Sequence, residues 1–127
     1  VGALVLAWSL APRGSLKWMT DEAAAVAKAR SEGRPLLVDF GAEWCPPCKK
    51  MESNTFPDEA VQRELGRFVL LRIDCSHETE QNQALQVKYQ SQTLPSVLVF
   101  DRSGNRTGWF REYTPPEALL PVLLKTP

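Results

Sequence analysis

Three short apolar runs, at 36–41, 68–74 and 96–101, alternate along the chain with stretches that carry helical signals. They are too short for helices and apolar on successive residues, so they read as strands buried on both faces of a sheet. Strands separated by helical crossovers pair in parallel, since a tight hairpin joins only antiparallel neighbours. The first run, Leu36-Leu37-Val38-Asp39-Phe40-Gly41, follows Pro35 and carries one anomalous acid, Asp39. Before it, Thr20 precedes an alanine-rich run from Asp21 to Arg30, with acids in the first turn, bases at the end and Gly33 placed to stop a helix. Helical signals resume from Pro47 to Thr55, break at Phe56-Pro57 and restart with Asp58 as a cap before 59–65, which predicts one interrupted helix or two. Phe68 to Asp74 reads as the second strand and Thr79 to Tyr89 as a second crossover helix. Pro95 opens the third strand, Arg102-Ser103-Gly104-Asn105 is a turn, and Arg106 to Arg111 returns antiparallel. Thr114-Pro115-Pro116-Glu117 reads as a capping box with proline at the first helical position, so a terminal helix spans Pro116 to Leu124. The predicted class is α/β, a central mixed β-sheet flanked by helices on both faces.

The length of 127 residues suits one domain with its own core, which we place at 16–127. Fifteen basic and 15 acidic residues leave zero formal net charge. That gives no electrostatic footprint for nucleic acid or an anionic membrane surface, so neutral partners or peptides are expected. A monomer is also expected. Three cysteines exclude a disulfide-dense scaffold and leave Cys75 without an obvious partner. Residues 1–15 read as a tail or linker. Their apolar part, Val1 to Ala11, is shorter than the ~20 residues of a spanning helix. It suits the end of a membrane segment before the polar Arg13-Gly14-Ser15, or an unstructured or packed extension.

The chemistry-bearing motif is Cys45-Pro46-Pro47-Cys48, set between the first strand and a helix start. Free amides and the helix dipole favour a thiolate there, and two thiols at this spacing can form and break a disulfide. The same spacing suits zinc, although structural zinc normally needs a second ligand pair. Cys75 and His77 follow the second strand, on the sheet edge that carries the tetrad, and would complete four ligands. More simply, Cys75 is a small apolar strand-end residue and His77 a loop residue. Pro46 and Pro47 remove two N–H donors and stiffen the turn, though proline is also well tolerated in a first helical turn. Asp39, six residues before Cys45 on an apolar strand, is a carboxylate whose pKa desolvation raises, which makes it a candidate proton acceptor for Cys48.

Both the element order and the segment from Val38 to Met51 (VDFGAEWCPPCKKM) resemble the thioredoxin superfamily, and Thr93-Leu94-Pro95 falls where that family places its cis-proline loop. Within the superfamily, Glu52, Asn54-Thr55-Phe56-Pro57-Asp58 and Leu94-Pro95-Ser96 resemble the C-terminal domain of the DsbD-type membrane electron transporters. The likeness runs from Trp18 to Leu124. It implies a thioredoxin fold and a protein-disulfide reductase that uses the Cys45–Cys48 disulfide itself, with no other cofactor and no metal. It implies that Cys45 is the exposed nucleophile, Cys48 the more buried resolving thiol, Asp39 the proton acceptor, and Glu52 a second acid that tunes the thiols. Trp44, Pro46 and Pro47 are then expected at the substrate-facing rim, and Leu94 with cis-Pro95 offers a backbone edge to an extended substrate peptide. On their own, a solvated glutamate and a proline at a strand start are ordinary. The implied partners are disulfide-containing proteins, such as thioredoxin-like carriers or cytochrome maturation factors, and a membrane-embedded cysteine pair as electron donor. The implied location is the periplasmic side of a bacterial inner membrane. Two rival readings stay open: a free-standing disulfide oxidase or isomerase, and a metal-binding or redox-inert interaction module of the same fold.

Overall fold

The computed structural model describes residues 16–127, so the tail expected at 1–15 lies outside the described residues. In chain order the elements are β1 (Trp18–Met19), α1 (Glu22–Glu32), β2 (Leu36–Gly41), α2 (Pro46–Lys50) and a π-helical turn (Met51–Thr55). They continue with α3 (Glu59–Leu65), β3 (Val69–Asp74), α4 (Glu80–Lys88), β4 (Ser96–Phe100), β5 (Arg106–Phe110) and α5 (Pro116–Lys125). Side-chain oxygens cap three of the helices: Asp21 accepts the Ala24 amide, Asp58 that of Val61 and Thr79 that of Asn82. Gly33 ends α1 in the left-handed region, φ 61°, where its amide reaches the Ala29 and Arg30 carbonyls. The interrupted helical stretch after the cysteines resolves into α2 with its π turn, then α3, separated at Phe56-Pro57.

The sheet has the order β1-β3-β2-β4-β5. β2 runs parallel to β3, with Leu36 opposite Val69 and Gly41 opposite Asp74. It runs antiparallel to β4, against the parallel pairing expected of strands joined through a helix, and β4 forms the expected hairpin with β5. The thioredoxin fold, a mixed sheet between two helical layers, is thus present. Strand β1 was not legible: two residues show no alternation, and only their pairing with Leu70 and Leu71 makes them a strand.

Two apolar cores follow from the strand alternation. On one face Leu37, Val97 and Val99 meet Val61 and Leu65 of α3 and Leu119 and Leu123 of α5. On the other, Val38, Phe40, Leu71 and Leu98 meet Ala25 and Ala29 of α1, where alanine lets the helix lie close. At β5 the approach of α5 demands glycine, because a Cβ on Gly108 would stand 2.7 Å from Val122 Cγ1. Among the described residues no helix is long and apolar enough to cross a membrane.

The expected capping box at Thr114 is not formed. Residue 115 is the N-cap of α5, and no side chain caps it. Thr114 is buried instead, its hydroxyl donating to the Glu112 carbonyl and its own carbonyl accepting from Thr55 Oγ1 at 2.6 Å. Its amide points at Met51 Sδ. The hydroxyl that a cap would use is engaged by Glu112, while the Thr114 carbonyl and amide tie down the π turn after the cysteines.

Candidate active site at the Cys45–Cys48 helix start

Strand β2 ends at Gly41, and four residues later Cys45 becomes the N-cap of α2. Cys45 and Cys48 are joined as a disulfide with their Cα atoms 5.3 Å apart. Pro46 and Pro47 fill the first helical positions without N–H groups, so the Cys48 amide is the donor left to Cys45, bonding its Sγ at 3.3 Å. The next amide, of Lys49, goes to the Cys45 carbonyl. The tetrad therefore keeps one backbone hydrogen bond on the first sulfur, which favours its thiolate when the pair is reduced.

The expected contrast between an exposed Cys45 and a more buried Cys48 is absent in this disulfide form. The two residues are 4% and 5% exposed, packed with Ala42 and Leu94. Their neighbourhoods are what differ. Cys48 borders a cleft of about 90 Å³ that also holds Asp39, Glu52 and Arg72. A Cβ on Gly41 would lie 3.7 Å from Cys48 Sγ, which places this sulfur directly over the end of β2.

Asp39 is buried and faces Arg72 in register across β2 and β3, its carboxylate 3.0 Å from Arg72 Nε. Burial raises the carboxyl to about 6, the Arg72 charge and hydrogen bond restrain that rise, and the Glu52 charge adds to it. Arg72 is held from three sides: its guanidinium lies 3.9 Å from the Trp18 ring centroid, 5.7 Å from that of Phe56, and its Nη1 is 3.9 Å from Glu52. Glu52, half-exposed, thus belongs to the cleft as well as to the helix surface, where it also pairs with Lys49 at 3.5 Å. Arg72 was missed in the sequence. The signal was there, a cation inside the apolar run 68–74, and aligning Leu36 with Val69 as parallel neighbours puts it beside Asp39.

Trp44 stands at the rim, 65% exposed, and its indole N–H donates to the Ser76 carbonyl. The Glu43 amide donates to Ser76 Oγ, so the β2–α2 loop is fastened to the β3–α4 loop. Pro46 is exposed and Pro47 half-buried on the same rim. The Leu94-Pro95 bond is cis, as expected, with Leu94 packed on the disulfide and Pro95 buried beside it in sequence. The four-ligand alternative is not assembled. Cys75 turns into the core on the α1 face, His77 is exposed, and no group of three or more metal-ligating side chains comes together among the described residues.

Known proteins resemble this chain in sequence and in fold. The sequence model of the family described as thioredoxin-like matches residues 17–102. The thiol:disulfide interchange protein DsbD of Actinobacillus pleuropneumoniae is 39% identical over 74 residues, 58% of this chain and 13% of its own length. That of Salmonella paratyphi A is 41% identical over 78 residues, 61% of this chain and 14% of its own. The chain thus spans about one seventh of the curated relatives it matches. Among solved structures, a thioredoxin from Thermus thermophilus is similar with a TM-score of 0.74 and 28% identity, covering 87% of this chain and 86% of that one. The oxidised C-terminal domain of Neisseria meningitidis DsbD has a TM-score of 0.71 at 24% identity, covering 87% and 100%, a likeness of fold.

Proposed function

The chain belongs to the thioredoxin-like family, and from that premise we propose that it is a thiol-disulfide oxidoreductase working as a protein-disulfide reductase. In the reduced pair the Cys45 thiolate attacks one sulfur of a substrate disulfide. The S–S bond breaks, a mixed disulfide forms, and the first substrate thiolate leaves. Asp39 takes the proton of Cys48 across the cleft. The Cys48 thiolate attacks Cys45 Sγ, the second substrate thiolate leaves, and the Cys45–Cys48 disulfide remains. Two electrons have moved to the substrate, carried by the sulfurs themselves without another cofactor. The carrying observation is Cys48 opening onto a cleft with a buried carboxyl raised to about 6, a base ionised at neutral pH yet basic enough to accept a thiol proton. Glu52 supports the same task by adding negative charge beside Asp39.

The likeness to DsbD supports a membrane-embedded dithiol as the electron donor, disulfide proteins outside the cytoplasmic membrane as acceptors, and a domain that works at the periplasmic face. The rim of Trp44, Pro46, Pro47, Leu94 and Pro95 suits an extended peptide flanking the substrate disulfide. Equilibrating the pair against glutathione tests the direction of flow. A potential more reducing than about −180 mV, together with reduction of insulin, is the expected result. A more oxidising value assigns an oxidase or isomerase instead. Stoichiometric zinc in the reduced protein, or no reduction of insulin, would overturn disulfide exchange altogether. Cys48→Ser holds substrates as mixed disulfides on Cys45, and a trapped membrane protein with a cysteine pair is the expected donor.

A further inference from the structure

The arginines among the described residues divide sharply by what they touch. Among the described residues, Arg34, Arg63, Arg67 and Arg72 all bond acids or carbonyls. Arg106 and Arg111 both lie over the Trp109 ring, 4.3 and 4.4 Å from its centroid. That leaves Arg30 and Arg102 with neither acceptor nor ring, and both line one cleft of about 220 Å³. Its floor is apolar, formed by Val26, Leu36, Tyr89 and Phe100. The one carboxylate on its wall, Asp101, is spent on its own turn, accepting the Ser103 and Asn105 amides, which hold it below the usual carboxylate range. Arg34, also on the wall, is satisfied by Glu32 and two carbonyls.

We infer that this cleft is a binding site for an apolar carboxylate. A ring or branched aliphatic body lies on the floor, and the carboxylate sits against Arg30 and Arg102. Size permits it: a dry cavity of about 150 Å³ takes benzene, and this cleft is larger. Charge complementarity supplies the rest, because an arginine facing a carboxylate forms a strong charge-assisted hydrogen bond and an apolar floor shields it from water. The site is remote from the disulfide. Leu36 opens β2 and Phe100 closes β4, whereas the cysteines stand beyond Gly41, about 17 Å away along β2 at the usual rise per residue. Its ligand is therefore not the disulfide under reduction. The same chemistry is offered by a free carboxylic acid and by the C-terminal residue of a polypeptide with an apolar side chain.

Amide chemical shifts of the full chain under titration test this, with two acid probes and their neutral amides. One probe is 3-phenylpropionate, and the other is a short acetylated peptide ending in a free phenylalanine carboxylate. The expected result is saturable shifts confined to residues 26–36 and 89–104, with Kd below about 10 mM for at least one acid. The amides bind at least about tenfold more weakly, and so does the double variant Arg30→Gln/Arg102→Gln with the acid. That variant should reduce insulin at the parent rate, which separates this site from the disulfide chemistry. Tighter binding of the peptide assigns a polypeptide terminus as the source, and tighter binding of the small acid a free ligand. No saturable shift with either acid, equal affinity for acid and amide, or shifts centred elsewhere would each overturn the assignment.

Discussion

Cys48 and Cys75 are buried alike, 5% and 6% exposed, and they stand just beyond the ends of two neighbouring parallel strands. Their surroundings part them. Cys75 packs among Ile73, Phe40 and other core groups; its closest acceptor, the Ile73 carbonyl, is 3.9 Å away, and burial pushes its thiol up to about 11. Cys48 has a second sulfur bonded to it and a cleft with a carboxyl and a guanidinium at its side. Burial alone therefore does not decide whether a cysteine is chemically active. What separates the two is a partner sulfur and a shared cleft with a raised carboxyl, and on the function proposed above these make Cys48 the reactive one.

The largest effect that would test this contrast is on the pair itself. Cys45→Ser should lower insulin reduction by at least about a thousandfold, since no other nucleophile replaces the thiolate. A residual rate within tenfold of the parent would mean that Cys75 takes part and would break the comparison. Next comes Asp39→Asn, which should slow release of the mixed disulfide at pH 7 by about a hundredfold, read by stopped-flow reduction of a chromogenic disulfide.

The same residue predicts a stability signature. Asp39 rises from 3.8 to about 6 in the folded oxidised protein, so between those values the native state binds more protons than the unfolded chain. Stability then falls as pH rises through that window, by on the order of 3 kcal/mol at most. Asp39→Asn should flatten the fall, seen as a smaller difference between urea midpoints at pH 4 and pH 7.5. An unchanged difference would locate the pH dependence in other groups.

A smaller change is expected from Arg72→Gln. The Arg72 charge restrains Asp39, so its removal lets the carboxyl climb further, and the pH midpoint of the resolving step should move up by about one unit. Arg72→Lys should return part of the shift. A midpoint that stays in place while stability drops would mark Arg72 as a packing residue only. Smallest of all is Cys75→Ala, with insulin turnover within about twofold of the parent and a stability loss of about 1 kcal/mol from the lost packing. Iodoacetamide should leave Cys75 of the folded, oxidised protein unmodified at pH 8 and label it in urea; labelling at similar rates in both states would remove the distinction.

Local pattern explains what could be read in advance. The runs at 36–41, 68–74 and 96–101 are continuous and apolar because their strands are covered on both faces. The caps Asp58 and Thr79 and the stop at Gly33 act within a few residues, so sequence neighbours suffice to recognise them. Thr114 misled because its hydroxyl goes to the Glu112 carbonyl and its main-chain carbonyl to Thr55, 59 residues away, so residue 115 and not Thr114 stands at the cap of α5. The relative exposure of the two active cysteines also escaped, since it depends on Leu94, which reaches them from another loop.

By itself, the sequence determined the alternation of strands and helices and the position of two thiols at a helix start. These rest on periodicity, capping and the missing N–H groups of Pro46 and Pro47, all local. Only the tertiary structure decided that Arg72 lies beside Asp39, that Glu52 shares their cleft, and that Cys75 faces away into the core. Each is set by strand register and helix packing, which bring together side chains tens of residues apart; burial in that packing raises the carboxyl beside Cys48, Arg72 restrains the rise and Glu52 adds to it.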